Sequence, residues 1–310
     1  MTVSLALRGG SGSQKMSEDT RTRILQAAEE LSYSPNARAR ALRLGKTNVI
    51  GLYAGHGYVN VRVPFFTEIV SGLQEGCEQT KKDLLLHGVF HGSSSDDIFR
   101  ELIDGRIDGL VVTMPRNDPL AKLLADSSFS VIAVADPLPN VPAVVVDDAG
   151  GSKLIAEHLY ELGHRRILYI LGTTQPVSAQ RRRDAFLTCG AEMGLETWLR
   201  CITNCSEDNE FLTEVMGTGA TAVVCWNDNV AQWFRSLCRK NDVDIPGRLA
   251  IVGFDGCPTP YEDPHPLTTV VAPWSEVGRQ AVIHLDSLIK GEQTPPETVL
   301  PVRLVRGETT

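Results

Sequence analysis

From Asn48 onward the chain alternates short apolar runs with stretches of helical period. The runs Val49–Tyr53, Leu84–Val89, Gly109–Thr113, Ser130–Ala135 and Ala143–Val146 form one series; Ile167–Leu171, Ala220–Cys225 and Ala250–Phe254 form a second. Each is short, β-branched and bounded by Gly, Asp or Pro, which predicts strands. Helical patterns fall between them at Phe65–Thr80, Asp97–Asp104, Gly151–Leu162, Ala179–Met193, Asn229–Asn241 and Ser275–Lys290. Continuous apolar strands covered by amphipathic helices mean parallel sheets buried on both faces. Two such series predict an α/β fold with two doubly wound parallel-sheet subdomains. Open parallel sheets bind ligands beyond the carboxyl ends of their strands, so the cleft between the two is the expected site.

The first 47 residues have another character. Gly9–Ser13 is a flexible turn, and Ser17-Glu18-Asp19-Thr20 can cap a helix at about Glu18–Leu31. That helix would align Ile24, Ala27, Ala28 and Leu31 on one face. Ser34-Pro35 ends it, and in Asn36–Leu44 three arginines alternate with small residues and two leucines.

Charge separates the same two regions. Residues 1–48 hold eight basic and four acidic side chains, whereas the rest holds 22 against 34, for a net charge of −8 overall. A basic head on an acidic body expects only the head to meet a polyanion; a solvated, mildly basic leader is the alternative. At 310 residues, 42% hydrophobic and 22% charged, the chain fits two domains, or one large α/β unit with an appendage, and excludes wholesale disorder, a collagen repeat or a disulfide scaffold. No run approaches the ~20 apolar residues of a membrane helix. The N-terminus lacks a signal-peptide core, so no membrane partner and a cytoplasmic location are expected. The seven cysteines are odd in number and scattered, which fits reduced thiols.

Catalytic motifs are missing. There is no Gly-x-Gly-x-x-Gly after a strand, no phosphate loop and no Gly-x-Ser-x-Gly elbow. His87 and His91 are four apart, but that spacing converges ligands only on a helix. Cys201 and Cys205 have no companion pair. No enzyme activity, metal or cofactor is expected. Polar clusters do stand at strand ends: Asp147-Asp148, Trp226-Asn227-Asp228, Asp255, and Gln180–Arg183 opening a helix. With Phe65 and Phe66 as an apolar wall, carboxylates, an amide and a guanidinium suit a small polar or polyhydroxylated ligand. Each residue taken alone has a plainer reading as a helix cap or a core side chain.

These segments together resemble the LacI/GalR family of bacterial transcription regulators, nearly end to end. Thr2–Gly9 is similar to the family's recognition helix, Ser17–Asn36 to its third helix and exit, Ala39-Arg40-Ala41-Leu42 to its hinge helix, and Thr47–Leu52 to its first core strand. Pro64-Phe65-Phe66, Asp108-Gly109-Leu110, Glu157–Leu159 with Leu162–Ile167, Asn227-Asp228, Val252–Asp255 and Pro266–Val270 follow in order. The resemblance implies a partial helix-turn-helix at 1–34 and a hinge at 35–47. It implies an N-subdomain from 48–149 and 273–300, and a C-subdomain from 150–272 and 301–310. It implies a homodimer on a near-palindromic operator, acting as a repressor whose cleft effector changes operator affinity. A carbohydrate is the family's commonest effector. Leu42 would wedge into the minor groove, Arg38, Arg40 and Arg43 would meet phosphates or groove, and Thr2 and Ser4 phosphates or base edges. Arg182, Asn227 and Asp255 match effector positions; Phe65, Phe66, Asp147 and Ser178 join them. Trp226 or Trp198 would supply an aromatic that the segment 201–209 lacks, and Arg182 would equally suit a carboxylate or phosphate.

Two departures stand out. Met1 falls just before the recognition helix, about fifteen residues into the family pattern, so the chain as written is expected to bind operator weakly or not at all. A small-molecule-binding module without DNA activity is the alternative function. The loop Ala54–Val63 is longer than usual, and Tyr58, Asn60 or Arg62 would reach the cleft mouth.

Overall fold

A computed structural model describes residues 17–33, 36–55, 62–173, 175–202, 209–258, 263 and 265–310. The chain divides into two compact units, Met1–Asn48 and Val49–Thr310.

In the first unit, helix α1 spans Glu18–Glu30, and Ser17 Oγ accepts from the Thr20 amide at its start. Of the expected apolar face, Ala28 is buried and Ile24 half-buried, whereas Ala27 and Leu31 are exposed. Helix α2 spans Ala37–Leu44, with the Ala39 amide bonded to Asn36 Oδ1. Leu42 is 89% exposed on it, and Arg43 is exposed too. Arg38 and Arg40 lie on α2 with side chains outside the described set. Thr2 and Ser4 lie outside the described residues.

The second unit contains two six-stranded sheets. The first half carries β1 (Val49–Tyr53), α3 (Pro64–Thr80), β2 (Asp83–Leu86), α4 (Ser95–Leu102), β3 (Gly109–Val112), α5 (Pro119–Ala125), β4 (Val131–Val134) and β5 (Ala143–Val146). The other half carries α6 (Asp148–Glu161), β6 (Arg166–Gly172), α7 (Val177–Glu192), β7 (Glu196–Ile202), α8 (Asn209–Gly217), β8 (Ala222–Cys225), α9 (Asp228–Lys240), β9 (Ala250–Asp255) and β10 (Thr268–Val271). Then α10 (Trp274–Ile289) and β11 (Glu297–Leu300) return to the first half, and β12 (Arg303–Val305) to the second.

The sheet orders are β11-β5-β4-β3-β1-β2 and β12-β10-β9-β8-β6-β7. All pairings are parallel except β10 with β12, an antiparallel edge on an otherwise parallel sheet. The wholly parallel expectation misses it because β12 arrives by a direct crossover from β11 and needs no helix. Strands β3, β4, β5, β8 and β9 are buried at every position, as expected for sheets covered on both faces. The expected strand Leu84–Val89 stops at Leu86, since Val89 turns out into solvent.

Helices α3 and α10 make the tightest helix contact. A Cβ at Gly72 would stand 1.7 Å from the Ser275 carbonyl oxygen, and one at Gly278 would stand 2.4 Å from that of Ile69. Only glycine permits this backbone-to-backbone approach. It fixes α10, and with it Trp274, against the start of α3, where Phe65 and Phe66 lie.

Candidate functional site

Strand ends from both halves meet around a cavity of about 850 Å³, within the range of small-molecule sites. Phe65, Phe66, Ser178, Arg182, Trp226, Asn227 and Asp255 all line it. Asp147 does not. Its Oδ1 accepts from the Gly150 amide at 2.8 Å as the N-cap of α6, which is the plainer reading of an Asp at a strand end.

Arg182 is the centre of the site. Its Nε donates to Asp148 Oδ1 at 2.8 Å, and its Nη1 to Asp255 Oδ1 at 3.2 Å and to the Trp226 carbonyl at 3.0 Å. The guanidinium carbon stands 3.7 Å from the centre of the Phe254 ring. The Arg182 side chain is 3% exposed. Burial opposes its charge, but Asp148 and Asp255 more than restore it. Two of its three guanidinium nitrogens are thus taken by carboxylates and a carbonyl. Nη2 makes no hydrogen bond among the described residues.

The sequence reading missed Asp136, which follows β4 and lines the cavity. Ala135 before it has φ 65°, and Asp255 at the end of β9 has φ 128°. Non-glycine residues rarely take such angles, and strain of this kind concentrates at functional sites. Asp136 Oδ1 accepts from the Ser178 amide at 2.8 Å. Nothing local in Ala135-Asp136-Pro137 signals this, because the partner lies 42 positions away. Asp228, from the expected cluster Trp226-Asn227-Asp228, lines the cavity too, accepting from Thr269 Oγ1 at 2.6 Å and the Gly256 amide at 2.7 Å.

Two buried carboxylates, Asp148 and Asp255, therefore hold one guanidinium, with the half-buried Asp136 and Asp228 near by. Burial raises the pKa of Asp136, Asp148 and Asp228. Asp255 is pushed up to about 7 by burial, which outweighs Arg182, with Asp228 and Asp148 adding repulsion. Arg182 opposes the rise at all four, and Arg181 joins it at Asp136 and Asp148. Asp148 Oδ2 is buried without a hydrogen-bond partner among the described residues.

Asn227 caps α9, its Oδ1 accepting from Val230 N at 2.9 Å, while its amide nitrogen makes no hydrogen bond among the described residues. Phe65 meets Trp274 edge-on, ring centres 4.8 Å apart, and Phe66 at 5.1 Å. Cys257 also lines the cavity, and burial raises its thiol, so it carries no thiolate there. Trp198 sits on β7 under Arg166, 5.2 Å from ring to guanidinium, and does not line the cavity. Trp226 does, as do Phe65, Phe66 and Trp274. A second, outer cavity of about 1040 Å³ shares Phe66, Asp136, Pro176, Trp226 and Asn227 with the first, and adds Arg116, Asn117, Gln175 and Gln180. In the loop before α3, Tyr58 and Asn60 lie outside the described residues, and Arg62 is exposed. No His/Cys/Asp/Glu group among the described residues could hold a metal ion. No helix among them is long and apolar enough to cross a membrane.

A two-sheet α/β unit with a cleft between its halves, preceded in the sequence by a basic helical segment, defines the class. The comparisons agree: residues 1–36 match the lacI family of bacterial regulatory proteins, and residues 156–310 the periplasmic binding protein-like domain. The chain is 31% identical over 299 residues to the HTH-type transcriptional regulator GalR of Escherichia coli K12, covering 91% of this chain and 84% of that one. It belongs to the lacI family of transcription regulators. Its fold is that of the lac repressor dimer bound to operator and the anti-inducer ONPF, with a TM-score of 0.84, 22% identity and 99% and 94% of the two chains covered. It is also that of the transcriptional regulator CelR in complex with cellobiose, at 0.74, 24%, 100% and 98%.

Proposed function

We propose that the cleft takes a neutral polyhydroxylated effector, a sugar or sugar derivative, and that its occupancy changes the affinity of the head for a near-palindromic operator. The observation that carries the choice of ligand is that Arg182 Nε and Nη1 are taken by Asp148, Asp255 and the Trp226 carbonyl, beside the further carboxylates of Asp136 and Asp228. Such a cluster repels a phosphate or carboxylate and accepts hydrogen bonds from hydroxyls. Trp226 and Phe66 supply apolar walls for the faces of a ring. The carboxylates hold and orient; with no nucleophile paired to a base and no metal group among the described residues, we read the cleft as binding rather than catalytic. We read 48–149 with 273–300, and 150–272 with 301–310, as the two effector subdomains, and 1–47 as the DNA-reading head and hinge. Operator DNA, the effector and a second copy of the chain are its partners, in the cytoplasm where the DNA is.

A thermal-shift screen tests the ligand class. A ligand at 100 times its Kd stabilises the native state by about 2.7 kcal/mol, several degrees for a protein of this size. Neutral mono- and disaccharides, cellobiose among them, are expected to supply the hits. Hits only among sugar phosphates or dicarboxylates would overturn the reading. A hit must then change the anisotropy-measured affinity for a labelled palindromic operator at fixed salt.

A further inference from the structure

Ser178, Arg181 and Arg182 stand at positions i, i+3 and i+4 of α7, side by side on its first turns. Each is held by something different. Arg182 belongs to the ligand cleft, through Asp148 and Asp255. The Ser178 amide is bonded by Asp136 from the end of β4, across the cleft. Arg181 grips Glu297 at the start of β11, also across the cleft, with Nη1–Oε1 at 2.8 Å and Nη2–Oε2 at 3.3 Å. Moreover, α7 has no cap of its own, because Pro176 stands at its N-cap and offers no side-chain acceptor. Orphan amides at a helix start need a partner, and here the other half provides it.

We propose that Asp136 and the Arg181–Glu297 pair are positioning residues that strap the two halves at their resting closure through the first turn of α7. One turn then holds the opposite half by two bonds and the effector site by a third. Moving the halves apart breaks the helix cap and the ion pair together, while a ligand that touches Arg182 or Asp136 acts on the same turn. Coupling between sites requires such an element with two arrangements that both sites bias. The straps are thus the means by which occupancy of the cleft becomes a change in the relation of the halves, which rests on the effector reading above. The straps themselves do not.

Amide exchange at Ser178 in the ligand-free full chain, followed by NMR, is the test. Asp136→Ala is expected to speed exchange at Ser178 at least tenfold, and Asp136→Asn, which keeps an acceptor, to stay within about threefold of wild type. The decisive variant is Arg181→Glu. Its own bond lies elsewhere, yet placing it opposite Glu297 is expected to raise Ser178 exchange at least fivefold, with β8 (Ala222–Cys225) still protected. Exchanging the charges in Arg181→Glu with Glu297→Arg is expected to restore protection. If Arg181→Glu fails to fold, Glu297→Gln asks the same question with a smaller change. Unaltered Ser178 exchange in the Arg181 or Glu297 variants, or no recovery on charge exchange, overturns the proposal. No ligand is used, so failure here leaves the sugar reading standing, and an empty sugar screen leaves the straps standing.

Discussion

Replacing Arg182 by methionine removes the cation that pairs with two buried acids. The side chains of Asp148 and Asp255 are 1% and 13% exposed, so neither can recover its lost partner from bulk water. Breaking a buried pair from one side costs about 3–5 kcal/mol. At about 2–4 °C per kcal/mol for a domain of this size, the melting temperature should fall by roughly 6–20 °C. Arg182→Met with Asp148→Asn and Asp255→Asn should recover most of that loss, because a buried ionic cluster replaced as a whole is often near neutral. The pH dependence has a definite sign. Without the guanidinium both carboxylates are raised far above their unfolded value of about 4, so the native state binds more protons than the unfolded one. The penalty of the single variant is therefore greatest above neutral pH and shrinks toward pH 5. Urea titrations of the three proteins at pH 5 and pH 8 provide the measurement. A single variant within about 1 kcal/mol of wild type at pH 8, or a penalty that grows on acidification, would refute the charge accounting.

Three further outcomes follow from the same structure. With Asp255 at about 7 against about 3.9 unfolded, its contribution to wild-type stability is greatest below pH 4 and is lost as pH rises through 7; urea titrations should show this slope, and Asp255→Asn should flatten it. Asp147→Ala should cost about 1 kcal/mol, as for a lost N-cap, with the calorimetric affinity for any hit of the sugar screen unchanged; a tenfold weaker affinity would return Asp147 to the site. Gly72→Ala should destabilise by at least about 2 kcal/mol in urea titration, because the new methyl meets the Ser275 backbone rather than a movable side chain.

The sequence made the central strands legible because each is a continuous β-branched run buried on both faces, as in Ala143–Val146 and Ala250–Phe254. Of the edge strands, β2 was legible and β11 and β12 were not. Glu297–Leu300 alternates exposed and half-buried positions over four residues, Arg303–Val305 has three, and neither is long enough to carry a period. Helix α5 escaped for the same reason, being seven residues long. In the site, Arg182, Asn227 and Asp255 could be placed at strand or helix ends from local pattern. That Arg182 Nε and Nη1 are already taken could not, since Asp148 and Asp255 lie 34 and 73 positions away. Asp136 was illegible because what it holds, an uncapped helix start, exists only once Pro176 and β4 face each other. Local sequence marks where a side chain emerges, and the tertiary approach decides what is left for it to bind.

The central claim is that an acidic cleft with a committed arginine selects a neutral polyol. A calorimetric titration of the full chain compares a sugar hit with its own phosphate ester, in one buffer at pH 7.5. The account predicts that the ester binds at least tenfold more weakly than the neutral sugar. An ester that binds equally or more tightly contradicts it.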